Sequence, residues 1–139
     1  MNVRDADGLT ALNILFSNKD LGAYLLSQGA DAFIRCVRVQ QSAFQQCLEY
    51  GETWILEEFD NLKYEEKFLN DKRKCIEYFS TLVRFGYAKR ASKFLDKGYL
   101  TVNADIATSL MKEAFQGETG NLEDPIETFE LLIRLGAEV

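Results

Sequence analysis

The chain contains no histidine, which removes every histidine-dependent dyad or triad and every zinc site that relies on imidazole. What remains with chemical potential is three cysteines, Cys36, Cys47 and Cys75, and the carboxylate pairs Glu57-Glu58, Glu65-Glu66 and Glu123-Asp124. The cysteines are odd in number and 11 and 28 residues apart. That spacing fits neither a disulfide framework nor a zinc knuckle. Cys47 falls on an inward helical position and reads as core packing. Cys36 lies between predicted helices and is expected to be the more exposed thiol, with Arg35 and Arg38 close enough in sequence to depress its pKa. An enzymatic reading would rest on Cys36 alone. Adjacent carboxylates on a helix point in different directions, so the three pairs read as solvated surface rather than as an acid–base couple. Gly117-x-x-Gly120 follows no strand and precedes no Lys-Ser/Thr, so it is not a phosphate loop. No catalytic residue, cofactor site or metal site is assigned.

Composition narrows the partner. The 139 residues carry a net charge of −6, which repels a phosphate backbone, and 47% are hydrophobic, which supports one folded domain over residues 1–139. The charge is unevenly spread. Residues 1–62 hold 4 basic and 9 acidic groups, residues 63–98 hold 10 and 5, and residues 99–139 hold 2 and 8. A basic middle with acidic ends could steer an acidic peptide, or help neighbouring segments attract one another. The cluster Lys72-Arg73-Lys74 is too small, within an acidic whole, to indicate nucleic acid. No basic start followed by an apolar run, and no stretch of 18 apolar residues, indicates secretion or a membrane span. The expectation is an intracellular, cytoplasmic protein that binds neither nucleic acid nor membrane.

The elements that position these residues follow from periodicity. Thr10 can cap a helix whose inward side is Leu12, Leu15 and Phe16, at i, i+3 and i+4. Leu21, Leu25 and Leu26 form the inward side of a second helix, which Gly29 ends. Ser42 takes the capping place again, with Phe44, Cys47 and Leu48 inward, a break at Gly51, and then Ile55, Leu56 and Phe59. No glycine closes that helix, because Asn61-Leu62-Lys63-Tyr64 stands there. A third pair has Phe79, Leu82 and Val83, then Ala91, Phe94 and Leu95, with turns at Gly86 and Gly98 and an early start near Asp71. A fourth takes Ser109 as its cap, with Met111, Ala114 and Phe115 inward, then Pro125 opening a helix with Phe129, Leu132 and Ile133 inward. The capping equivalents 10, 42, 77 and 109 are spaced by 32, 35 and 32.

This pattern resembles the ankyrin-repeat family, whose signature is Thr-Pro-Leu-His-x-Ala within a period of about 33 residues. Thr10-Ala11-Leu12-Asn13-Ile14-Leu15 keeps the Thr and the Leu and replaces Pro and His; Gly29-Ala30-Asp31 closes the unit, and Gly136-Ala137-Glu138 echoes it. The implied fold is all-α: a helical-repeat solenoid of about four helix-turn-helix units, 5–31, 32–64, 65–100 and 101–139, with short loops in place of regular β-hairpins. The family's two alanines at the end of the first helix are replaced by Leu15-Phe16, Cys47-Leu48, Leu82-Val83 and Ala114-Phe115, so wider or irregular packing is expected.

The resemblance implies a non-catalytic module that binds a partner protein through its loops and the exposed side of each first helix. By position these are Asp7, Leu9, Ile14 and Ser17; Arg38, Gln41, Gln46, Glu49 and Tyr50; Arg73, Lys74, Thr81, Arg84 and Phe85; and Glu113 and Gln116. Tyr50 and Phe85, aromatics near arginines, have interface composition, the alternative being that both rings fold against their own repeat. Phe33 belongs to an unusually apolar loop, with Ile34, Val37 and Val39, that either packs under the neighbouring loop or recognises a partner. Leu131 and Leu135 make the last helix apolar on a second side. That points to a fragment of a longer protein, or to an end covered by a homodimer or another domain. The alternatives are a regulatory or substrate-targeting domain of a larger enzyme, a secreted effector acting in a host cytosol, and a homodimerisation domain.

Overall fold

A helix leaves its first N–H groups open, and this chain places short polar side chains where they are needed. The computed structural model describes residues 10–36, 40–98, 100–115 and 125–137. Thr10 opens α1 (Ala11–Ile14) with a reciprocal box: its hydroxyl accepts from the Asn13 N–H at 3.2 Å, and Asn13 Oδ1 accepts from the Thr10 N–H at 3.1 Å. Ser42 and Gln45 repeat that box at α3 (Ala43–Glu49). Asn18 caps α2 (Lys19–Ser27), and Asp71 caps α5 (Lys72–Arg84). The remaining helices are α4 (Trp54–Asn61), α6 (Ala88–Asp96), α7 (Ala104–Phe115) and α8 (Pro125–Arg134). Among the described residues there is no strand, only an isolated antiparallel bridge between Arg35 and Ser42. No described helix is long and apolar enough to cross a membrane.

Helix ends are as repetitive as helix starts. At the ends of α2, α3, α5 and α8 the same closure recurs, with the N–H of Ala30, Glu52, Tyr87 and Ala137 donating to the carbonyl of Leu25, Cys47, Leu82 and Leu132. This closure needs a left-handed residue just past the helix, supplied at Gly29, Gly51, Gly86 and Gly136. After α4 the left-handed residue is Lys63, at φ 50°, and a 3-10 turn, Tyr64–Lys67, follows. A side chain there costs about 1 kcal/mol.

Two spacing-based expectations shift. Ser109 does not cap a helix. It lies well inside α7, where Asn103 Oδ1 accepts from the Ile106 N–H at 2.8 Å, because no residue from 104 to 109 interrupts the helix. In α5, Glu77 is likewise internal, and the early start at Asp71 is observed. The first turn of α5 carries Lys72, Arg73 and Lys74 and no acidic residue. Cations there oppose the helix dipole, so this sequence weakens its own helix start.

The chain groups into two compact units, Met1–Phe68 and Leu69–Val139. Within the first, α1 packs on α2 and α3, and α2 packs on α4. Within the second, α5 packs on α6 and α7, and α8 packs on α6 and α7. The first core contains fully covered Leu12, Leu26, Phe44, Ile55 and Phe59; the second contains Tyr78, Phe79, Leu82, Phe94 and Leu132. Leu21, expected inward, is 47% exposed, and Leu26 with Gly22 forms the buried side of α2.

The α2–α4 contact is unusually close. The Trp54 indole lies on Gly22, where a Cβ would meet the ring at 2.5 Å, and its N–H donates to the Phe16 carbonyl at 3.0 Å. Gly22→Ala should therefore lower stability by about 1–3 kcal/mol, because rigid ring atoms must move. Gly29→Ala meets open space and carries only left-handed strain, about 1–2 kcal/mol. Urea unfolding followed by Trp54 fluorescence checks both, and only Gly22→Ala should also shift the folded-state emission.

Candidate protein-interaction surface

The first unit brings several of the sequence-predicted contact residues into one neighbourhood. Asn13, held by its capping box, donates through Nδ2 to Gln46 Oε1 at 2.9 Å and so joins α1 to α3. Gln41 donates to the Glu49 carboxylate across the start and end of α3. The Tyr50 ring lies 5.5 Å from the Phe16 ring and is still 66% exposed, and Ile14 is 55% exposed. Ser17 and Glu49 are exposed, and Gln41 and Gln46 half-buried. Ile14 on α1 and Gln46 and Glu49 on α3, with Tyr50 just past the end of α3, thus stand on two helices that pack on one another, with polar groups oriented by hydrogen bonds. Asp7, Leu9, Arg38 and Gln116 lie outside the described residues.

Phe33 is not on this surface. It is 6% exposed and packs into an aromatic cluster with Phe44, Phe59, Tyr64 and Phe68, at ring distances from 5.0 to 6.4 Å. Val37 and Val39 of the same apolar loop lie outside the described residues. Tyr64 was not identified from sequence, yet it secures this region. Its hydroxyl donates to the Ala30 carbonyl and accepts from the Ala32 N–H, both at 3.1 Å, and its ring stacks on Phe59 at 4.4 Å. The only local signal was the run Asn61-Leu62-Lys63-Tyr64 standing where Gly-Ala-Asp was expected. A bond spanning 34 residues has no sequence signature.

The thiols are placed differently from expectation in one case. Cys36 is fully buried rather than exposed, because the backbone around it closes on itself: its N–H donates to Gln41 and its carbonyl accepts from Gln40, both at 2.8 Å. Cys47 is buried as its helical position required, and burial, with the negative charge of Glu52 adding, pushes its pKa from 9.0 to about 12. Burial also raises Cys75, with Asp71 contributing. A protonated, covered thiol is a poor nucleophile.

In the second unit, Arg73 and Arg84 are exposed on α5, Lys74 is half-buried, and the Arg84 guanidinium lies 5.5 Å over the half-buried Phe85 ring. Thr81, expected on the contact side, is 2% exposed and belongs to the core. Glu113 is exposed on α7. The last helix is rotated relative to expectation. Leu131 is 4% exposed and Leu135 half-buried, while Phe129 and Ile133, expected inward, are 40% and 37% exposed. Thr128, Leu131 and Leu132 face the unit's interior instead, because α8 packs against both α6 and α7 and needs a buried side spanning adjacent positions. A groove of about 450 Å³ between α6 and α8 pairs its own charges, Lys89 with Glu127 at 3.6 Å, and Arg134 reaches the Ser92 hydroxyl.

Compared with protein-family models, curated proteins and solved structures, the chain matches none.

Alkaline titration tests the buried hydroxyl and thiol together. Burial raises Tyr64 from 10.0 to about 12, with the Ala32 N–H bond working against the shift and Asp31 adding to it. A folded state that keeps a proton the unfolded chain releases loses stability as pH rises. Stability should hold below pH 9.0 and fall towards 12. Urea unfolding across that range should show a shallower decline for Cys47→Ala and for Tyr64→Phe. Tyr64→Phe should also lose about 1–3 kcal/mol at neutral pH, since two buried backbone groups lose their partner.

Proposed function

We propose that this chain is a non-catalytic protein–protein interaction module, built from ankyrin-like helix pairs and binding its partner through the exposed side of the first helix of each pair. One observation carries the reading: helices of the same rank pack on each other. First helices pair as α1 with α3 and α5 with α7, and second helices as α2 with α4 and α6 with α8. First helices also pack on their own second helices, α1 on α2, α5 on α6 and α7 on α8, as stacked helix pairs would. Pairs stacked in this way leave one side of each first helix available. The four identical helix closures and the two identical capping boxes support the same reading.

The strongest contact surface under this proposal is Ile14 and Tyr50, framed by Gln46 and Glu49. It combines an exposed aromatic ring with oriented amides, a composition suited to a binding hot spot. Affinity capture with the full chain as bait, identification of the recovered partner and measurement of its dissociation constant test the surface. Ile14→Glu with Tyr50→Ala should weaken that complex by about tenfold or more, while leaving the circular dichroism unchanged. Equal affinity for both chains would remove this surface.

A second reading, self-association, is favoured by α8. Ile126, Phe129 and Ile133 are 74%, 40% and 37% exposed on one side of that helix. Sedimentation equilibrium should then give a dimer, and Ile126→Glu with Ile133→Glu a monomer. A monomeric parent chain at high micromolar concentration removes the second reading and leaves the first intact.

A further inference from the structure

We propose that the outer side of α5 is a docking strip for an acidic, extended peptide segment. This names the partner chemistry for one part of the interaction module proposed above and rests on that reading. On a helix turning 100° per residue, Arg73, Ile76, Ser80 and Arg84 fall within one narrow stripe. Arg73, Ile76 and Arg84 are exposed, Ile76 at 44%, and Ser80 is half-buried between them. Lys72 is exposed one turn before Ile76. The stripe is thus an apolar side chain bracketed by cations.

Two carboxylates lie nearest in sequence, Asp71 and Glu77. Asp71 is engaged by the backbone N–H groups of Arg73 and Lys74 at 3.1 and 3.3 Å, and one oxygen of Glu77 is buried. Within the same unit, residues 69–98 hold 8 basic against 3 acidic groups in a chain of net charge −6. That local reversal of sign favours an anionic partner at this strip.

Spacing defines the partner further. Eleven residues of helix separate Arg73 from Arg84 by about 16 Å, which an extended strand covers in about five residues. The matching segment has two carboxylates that far apart and an apolar residue between them, nearer the one that meets Arg73. Nucleic acid fits less well. The strip has an isoleucine where a stacking ring or a further cation would be needed, and the whole chain repels phosphate.

The test uses the full chain and a fluorescein-labelled synthetic peptide, with glutamates about six residues apart and a leucine about two residues after the first, so that all three share one face of an extended strand, followed by fluorescence anisotropy. Binding is expected, weakening with added salt. Arg73→Glu with Arg84→Glu should weaken it about tenfold or more, Ile76→Ser should weaken it by a smaller factor, and a peptide with lysines for glutamates should not bind. All three positions are exposed, and circular dichroism confirms that the variants fold. Three results overturn the inference: no binding by the parent chain, equal binding by the Arg73→Glu/Arg84→Glu chain, or arginine-dependent binding of a single-stranded oligonucleotide in place of the peptide. Ile14→Glu with Tyr50→Ala should leave peptide binding unchanged. If the peptide fails while the captured partner still depends on Ile14 and Tyr50, the strip is lost and the interaction-module reading survives.

Discussion

A helix of four residues cannot persist on its own hydrogen bonds, because nucleating a turn costs more than so few bonds return. Yet α1 is the element that carries Ile14 and orients Gln46 through Asn13. It is held at its start by the Thr10–Asn13 box and at its far side by the Phe16 carbonyl. That single oxygen accepts from the Trp54 indole at 3.0 Å and from the Cys47 thiol at 3.6 Å. One acceptor on the turn after α1 therefore meets donors from both α3 and α4. Gly22 lets the indole approach, and its close contact with the ring is the cost of the arrangement. The proposed binding surface of the first unit is a consequence of this packing rather than of helix propensity.

Tyr64 plays the corresponding part on the other side of the first unit. Its hydroxyl bridges Ala30 and Ala32, on the loop following α2, while its ring belongs to the aromatic cluster around Phe33 and Phe59. Aromatic pairs add about 0.5–1.5 kcal/mol each beyond area burial, and a buried bridging hydroxyl prevents two backbone groups from going unsatisfied. With Phe33 committed to this cluster, the contact surface proposed for the first unit is confined to side chains on and next to α1 and α3. The second unit distributes its charge differently. Basic residues in the first turn of α5 weaken that helix locally, a cost more easily understood if those cations have an anionic partner to meet.

Local features were legible in the sequence. Thr10, Ser42 and Asp71 cap helices because a short side chain with an acceptor oxygen reaches its own backbone two or three residues on. Gly29, Gly51, Gly86 and Gly136 end helices because their left-handed backbone favours a residue without a Cβ. Phe44, Cys47 and Leu48, and likewise Phe79, Leu82 and Val83, are buried as their i, i+3, i+4 spacing required. Each of these depends on residues within one or two turns, so a linear chain contains the whole of the cause.

Tertiary structure decided what involved a choice between comparable alternatives. Residues 125–134 are apolar on more than one side, so periodicity could not say whether Phe129 and Ile133 or Leu131 and Thr128 turn inward; packing against both α6 and α7 selected the latter. Leu21 lost its place to Gly22 because Trp54 needed a position without a side chain. Cys36 became buried through backbone bonds to Gln40 and Gln41 that no side-chain pattern announces. The sequence by itself determined most helix starts and stops, since those are short-range hydrogen-bond and backbone requirements, the exception being α7, which starts after Asn103 rather than at Ser109. Which side of each helix meets water was settled only when the pairs packed, because burial is a property of neighbours distant in the chain.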